Sequence, residues 1–250
     1  MSDYNLKSPQ DFLRIKDAGR IIAEIFKTIS KISLDGISTL ELDTFIERII
    51  IKSKARASFR TVPDYNHATC ISINNEVVHG IPLKKKKIKK GDIVKIDIGV
   101  VKNGYFADAC YTFAVSPISQ NAARLLSVTK ESLNKAVKLL YPGARVGDIG
   151  AVIQEYVEKN GFSVVRDFTG HGVGFAVHEH PGIPHYGISG KGKIIKAGMV
   201  LAIEPMVNEG VYDVEVLEDG WTVVTADGKL SAQFEHTVAV TEKGPLILTD

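Results

Sequence analysis

A repeat with an offset of 107 residues runs through this chain. Gly36 and Gly143 each precede the second helix of a helix pair, and 143 − 36 = 107. Ser8-Pro9-Gln10-Asp11 reads as a helix start, with an N-cap serine, proline at N1 and an acid in the first turn. Phe12, Ile15, Ile22, Ile25, Phe26 and Ile29 then recur at helical spacing. Ser38-Thr39-Leu40-Glu41 is a capping-box start for a second helix running through Ile51. Residues 121–140 and 147–160 form another helical pair, closed by Gly161 as a C-cap. Stretches rich in Val, Ile, Thr and Gly fall at about 69–79, 92–115, 162–178, 199–224 and 233–249.

Sliding the chain by the same offset lays residues 88–97 on residues 195–204. Ile88, Lys89, Gly91 and Ile96 then meet the identical Ile195, Lys196, Gly198 and Ile203, and Asp97 lands on Glu204. Helices fall on helices and strands on strands without a gap. The expected architecture is α+β: two helix–helix–strand–strand halves, about 9–115 and 116–249, related by a pseudo-twofold axis within one catalytic domain spanning 1–250. Their strands join in one sheet, and an active site belongs in the crevice between the halves.

The strands carry acids in unusual places. Asn103-Gly104 lies between two apolar-rich runs and predicts a hairpin, because a type I′ turn needs positive φ at both central residues. Lys102 then faces Tyr105, Gly99 faces Asp108 and Asp97 faces Cys110. Asp97 and Asp108 become diagonal neighbours on one face, with no side chain at Gly99 between them. Two carboxylates that close do not both ionise cheaply without a cation. Glu204 ends the apolar run Met199–Ile203, where an unpaired charge is costly, and Glu235 stands beside another β-rich run. His171 sits among glycines in Gly170-His171-Gly172-Val173-Gly174. His178 follows seven residues later, and His79 precedes Gly80.

Each residue alone has an ordinary reading: a solvated hairpin face, a partner for a basic side chain, a strand acid, an exposed histidine. Together, four carboxylates and an imidazole suit a divalent ion such as Mn, Fe(II), Co or Zn rather than a cysteine-rich structural zinc site.

Composition narrows the class. A 44% apolar fraction and a net charge of +2 fit a globular enzyme and do not announce nucleic-acid binding. The polar start Met-Ser-Asp-Tyr-Asn has no apolar signal region, and no apolar run approaches a spanning helix. Cys70 and Cys110 have no metal or redox spacing and read as free thiols in a reducing cytoplasm. The run 84–90 holds six lysines in seven residues: Lys84, Lys85, Lys86, Lys87, Lys89 and Lys90. It reads as a solvated loop, or as an electrostatic contact to ribosomal RNA.

These residues together resemble the type I, bacterial-type methionine aminopeptidases, which have the pita-bread fold. The resemblance covers about Ser8 to Leu248. It rests on Ile71-Ser72-Ile73-Asn74 leading to His79-Gly80-Ile81-Pro82, on Gly91–Asp97, on Gly170–Gly174, on Ile203-Glu204-Pro205-Met206 and on Asp219-Gly220-Trp221-Thr222. It implies a curved, antiparallel-rich sheet with helices on its outer face, and two divalent metal ions bound by Asp97, Asp108, His171, Glu204 and Glu235. Asp108 and Glu235 would bridge the ions, Asp97 would complete one, and His171 and Glu204 the other. A metal-bridged hydroxide would attack the carbonyl after an N-terminal methionine that precedes a small residue. His178 would stabilise the oxyanion, His79 would contact the scissile amide, and Glu204 would also carry the proton.

The resemblance further implies a methionine pocket of Phe59, Tyr65, Cys70, His79, His178 and Trp221. The chain departs from the family at Arg60–Asn66 and at Val177, where valines at 62 and 177 replace aromatic walls. Methionine preference is expected to survive with altered KM. A monomeric cytoplasmic enzyme acting on peptide or nascent-chain N-termini, without membrane association, is implied. Two rivals share the fold. Prolidase-like peptidases bring a large N-terminal domain, and non-enzymatic adaptors lose metal ligands; this chain has only a helix ahead of its first half and keeps all five.

Overall fold

The computed structural model describes residues 4–250. Helix α1 (Pro9–Ile29) starts at a reciprocal capping box, in which the Ser8 hydroxyl accepts from Asp11 N–H and the Asp11 carboxylate accepts from Ser8 N–H. Helix α2 (Thr39–Lys52) repeats the device with Ser38 and Glu41. Their apolar stripes, including Ile15, Ile22, Ile25, Ile46 and Ile50, cover one face of a sheet. That sheet contains β1 (Arg56–Ala57), β2 (Thr69–Ile73), β3 (Ile93–Lys102) and β4 (Tyr105–Ala114), with β3 paired to the other three. Along β3, Val94, Ile96, Ile98 and Val100 join the helix-side core, while Asp97 and Gly99 alternate to the other face.

Helices α3 (Gln120–Val137) and α4 (Val146–Lys159) open the second half. The strands β5 (Ser163–Val164), β6 (Gly170–Gly172), β7 (Glu179–Ile183), β8 (Val200–Ile203) and β9 (Met206–Asn208) follow. A short hairpin of β10 (Val214–Val216) and β11 (Val223–Thr225) precedes β12 (Ser231–Gln233), β13 (His236–Thr241) and β14 (Gly244–Ile247). Strand order is β14-β13-β8-β6-β7 in one ladder and β12-β9-β5 in another. Every strand pair among the described residues is antiparallel. A second core of Leu125, Ile149, Ile153, Leu201, Ile203 and Val238 lies under α3 and α4.

The β3–β4 hairpin has the register read from its turn: Lys102 pairs with Tyr105, Gly99 with Asp108 and Asp97 with Cys110. Asn103 and Gly104 have φ of 52° and 83°, as the two-residue turn requires. Element bounds show how far the 107-residue offset runs. Adding 107 to 39 and 52 gives 146 and 159, the bounds of α4, and adding it to 56 and 57 gives 163 and 164, the bounds of β5. The absence of a gap does not hold to the end. The return strand after β9 is delayed by the β10–β11 hairpin, so Glu235, which lies across from Glu204 as Cys110 lies across from Asp97, stands 235 − 110 = 125 residues beyond Cys110 instead of 107. His236 pairs with Ile203 and Gln233 with Met206, which sets Glu235 across from Glu204.

The halves are stitched where their acidic strands meet. Glu235 N–H donates to Cys110 O (2.9 Å), and Asp108 N–H donates to the Thr237 hydroxyl (2.9 Å), which donates back to Asp108 O (2.7 Å).

Candidate metal centre and substrate cleft

Asp97 and Asp108 come from adjacent strands of the first half, His171 from β6, and Glu204 and Glu235 from the breaks after β8 and before β13. All five line one cleft of about 360 Å³. One ligand atom each from Asp108, His171 and Glu235 lie within 4.8 Å of one another. His171 Nε2 is 3.4 Å from Glu204 Oε1. Among the described residues, no lysine or arginine pairs with any of these carboxylates.

Buried carboxylates without cations are strongly perturbed. Burial pushes Asp97 well above its ordinary value, with Asp108 and Glu204 adding repulsion. Burial also raises Asp108. Glu204 is raised by burial and Asp108, and Glu235 by burial and then by Asp108, Glu204 and Asp97. Asp97 Oδ1, Asp108 Oδ1 and Glu235 Oε1 are buried without a hydrogen-bond partner, a rarity in a folded interior. Three orphaned oxygens and four carboxylates in one cleft fit a cation.

The imidazole fits too. His171 Nδ1 lies 2.9 Å from Gly172 O, so this nitrogen carries the proton and Nε2 presents a lone pair to the cleft. Burial and the neighbouring His178 lower the His171 pKa to about 4, which keeps the ring neutral. Glu204 is held from two sides: Gln233 Nε2 donates to its Oε2 (3.1 Å), and its own N–H donates to His185 Nε2 (3.2 Å). An oxygen-rich set with one imidazole suits hard-to-borderline divalent ions.

Beside the carboxylates lies a mostly apolar compartment. Phe59, Tyr65, Cys70 and Trp221 line it, with Val62 and Val177 packed against the same cluster. Tyr65 and Trp221 meet edge to face at 4.9 Å, and the Tyr65 hydroxyl donates to Thr69 O (2.8 Å). His79 and His178 lie on the same cleft. His79 has a left-handed backbone, φ 56°, a costly conformation for a residue other than glycine. Burial and His178 lower its pKa to about 4, and burial lowers that of His178.

Gly99, which leaves no side chain between Asp97 and Asp108, also faces a close approach from the preceding segment. A Cβ there would lie 1.9 Å from Ser58 Oγ and 2.8 Å from Phe59 Cε1. Its missing side chain makes room for the aromatic wall of the compartment. Val78, Asp167, Phe168, Thr169 and Met206 also line the cleft and were not anticipated. Met206 follows the recognisable Glu204-Pro205, and Phe168 precedes the glycine loop of His171, so proximity in sequence was the available signal. Gln233 and His185 had none, because their partners are 29 and 19 residues away.

The lysine run is not a uniform free patch. Lys86 is half-buried, and its ammonium bonds Ile71 O (3.0 Å) and Glu76 (3.0 Å). Lys87 pairs with Glu41 (3.0 Å). Lys84, Lys85, Lys89 and Lys90 are exposed.

Fold and site together define a pita-bread metallopeptidase. The sequence model of metallopeptidase family M24 matches residues 14–242. The chain is 49% identical to a methionine aminopeptidase of Clostridium perfringens, over 98% of both chains. It is also 49% identical to methionine aminopeptidase 1 of Bacillus subtilis, over 97% of this chain and 98% of that one. The crystal structure of methionine aminopeptidase from Thermotoga maritima superposes with a TM-score of 0.96 at 45% identity, covering 98% of this chain and 99% of that one. The chain belongs to the methionine aminopeptidases of family M24.

Proposed function

We propose that this protein removes the N-terminal methionine from peptides and nascent proteins whose second residue is small, by metal-dependent hydrolysis. The observation that carries the reading is the junction of two unlike surfaces in one cleft. Asp97, Asp108, His171, Glu204 and Glu235 converge beside an aromatic and thiol-lined compartment. A thioether packs well on such a surface.

Those five residues would hold the divalent ions, which supply Lewis acidity that lowers the pKa of water and polarises the scissile carbonyl. The remaining work falls to the protein. Phe59, Tyr65, Cys70 and Trp221 orient the methionine side chain. His79 and His178 stay neutral near pH 7, so each offers an N–H: His178 to the developing oxyanion and His79 to the scissile amide. Glu204, whose Oε1 faces His171 Nε2 at the edge of the cleft, takes up a proton and carries it toward the leaving amine. Rapid turnover of Met-Ala-Ser and little of Leu-Ala-Ser, by protein reconstituted with Co, Mn, Fe(II) or Zn, is the expected result. Equal rates on the two peptides would overturn the proposal.

We further propose one catalytic domain, residues 1–250, acting as a cytoplasmic monomer. No helix among the described residues is long and apolar enough to cross a membrane. Exposed Lys84, Lys85, Lys89 and Lys90 are the contacts proposed for ribosomal RNA near nascent chains, with Lys86 held by Glu76 and Lys87 in a surface ion pair with Glu41. Salt-sensitive co-sedimentation with ribosomes should weaken when those four become Glu; unchanged co-sedimentation would remove the contact.

A further inference from the structure

Lys7 and Glu179, 172 residues apart, form a buried ion pair outside the metal centre. Nζ lies 2.5 Å from Oε2, and the side chains are 2% and 4% exposed. Desolvation makes such a pair a poor source of stability, and apolar side chains would serve a core as well. Burial is the main influence on Lys7, lowering its pKa. The second oxygen of Glu179 is also engaged: Oε1 accepts from Phe175 N–H (2.6 Å) and Ala176 N–H (3.1 Å). One carboxylate therefore holds the N-terminal arm and the loop joining β6 to β7 at the same time.

That loop, residues 173–178, carries His178. Among the described residues, no hydrogen bond reaches a His178 ring nitrogen; its ring meets His171 edge to face, 4.5 Å between centroids. The backbone of the loop thus decides where this imidazole stands. The loop start is packed on the lysine stem, since a Cβ at Gly174 would lie 2.7 Å from Lys7 Cε. The ammonium also sits 5.1 Å from the Phe175 ring centroid. The arm is fastened at its other side, where Lys7 N–H donates to Gly198 O (2.7 Å) just ahead of β8.

We propose that the Lys7–Glu179 pair is a latch that positions His178 over the metal centre. Lys7 and Glu179 are positioning residues: they act on hydrolysis through the imidazole and touch no substrate. The inference rests on the reading of His178 as the oxyanion donor.

A mutant cycle on the metal-loaded enzyme tests it, with kcat and KM for Met-Ala-Ser and the melting temperature measured for each variant. Removing an oxyanion donor outright costs about 10²–10³ in kcat, and His178→Ala should fall near the lower end. Lys7→Met should lower kcat by about 10-fold with KM nearly unchanged, the pattern of a lost transition-state contact. In the His178→Ala background it should cost nothing further. Glu179→Gln keeps an oxygen that accepts from Phe175 and Ala176 but turns amide N–H toward the Lys7 ammonium where a carboxylate oxygen accepted from it. It should show the same dependence on His178, and it serves if Lys7→Met does not fold. Equal losses in both backgrounds, or a loss confined to KM and melting temperature, would reduce the pair to a structural brace. Undiminished kcat in His178→Ala would instead overturn the reading of His178, and the latch with it.

Discussion

Replacing Gly99 with alanine separates two explanations of one missing side chain. The backbone at Gly99 is not left-handed, so alanine by itself would stabilise by about 0.4–1 kcal/mol through the unfolded chain. Against that, the new Cβ would lie 1.9 Å from Ser58 Oγ and 2.8 Å from Phe59 Cε1, both in buried residues. Overpacking of this kind costs about 1–3 kcal/mol. The net loss is then about 1–2 kcal/mol, or roughly 2–8 °C in melting temperature for a chain of this size. Phe59, one of the two residues that must yield, forms part of the wall of the compartment proposed for methionine. KM for Met-Ala-Ser should therefore rise by about 10-fold, the low end of what one methylene is worth in an apolar pocket, with metal affinity unchanged. Ser58→Ala in the same chain removes the 1.9 Å contact and should recover part of the stability. Calorimetry, peptide kinetics and metal titration read the three quantities. Weakened metal binding with normal KM would refute the packing argument and restore Gly99 as clearance for the ions.

Asp108→Asn should abolish metal-dependent hydrolysis with every ion while stabilising the metal-free protein. Relief of even a tenfold protonation penalty is worth about 1.4 kcal/mol, or roughly 3–6 °C here; a lower apo melting temperature would refute it. The metal-free protein should also lose stability as pH rises from about 4 toward neutrality. Asp97, Asp108, Glu204 and Glu235 bind protons more tightly folded than unfolded. Their contribution is therefore full below the ordinary carboxylate range and lost as pH climbs through the raised folded values. Saturating metal should reverse the trend, because bound ions favour the ionised form; thermal melts with and without chelator across pH 5–8 measure both slopes.

Much of the fold was legible because its signals are local. The capping serines at 8 and 38 start helices where read, and the Asn103-Gly104 turn sets a ten-residue register with no help from the rest of the chain. The second helix pair was read within a few residues of α3 and α4, since helix ends depend on capping details weaker than the apolar period. The delay of Glu235 relative to Cys110 escaped the repeat, because the β10–β11 hairpin is inserted between β9 and β12 while the pairing on either side keeps its register.

The site divides along the same line. By itself the sequence determined the acidic positions, since a carboxylate at the end of an apolar strand or diagonal to another is anomalous against a period of two. It also determined that the halves match, through Asp97 and Glu204. Tertiary structure decided everything that depends on approach across the seam. It orphaned three carboxylate oxygens, turned His171 Nε2 toward the cleft, and placed Gln233 and His185 against Glu204. It set Lys7 against Glu179 and brought Ser58 and Phe59 too close for a Cβ at Gly99. The physical reason is that burial and partnership are properties of space: desolvation shifts a carboxyl, and a clash forbids a methyl, only once distant segments have closed around them.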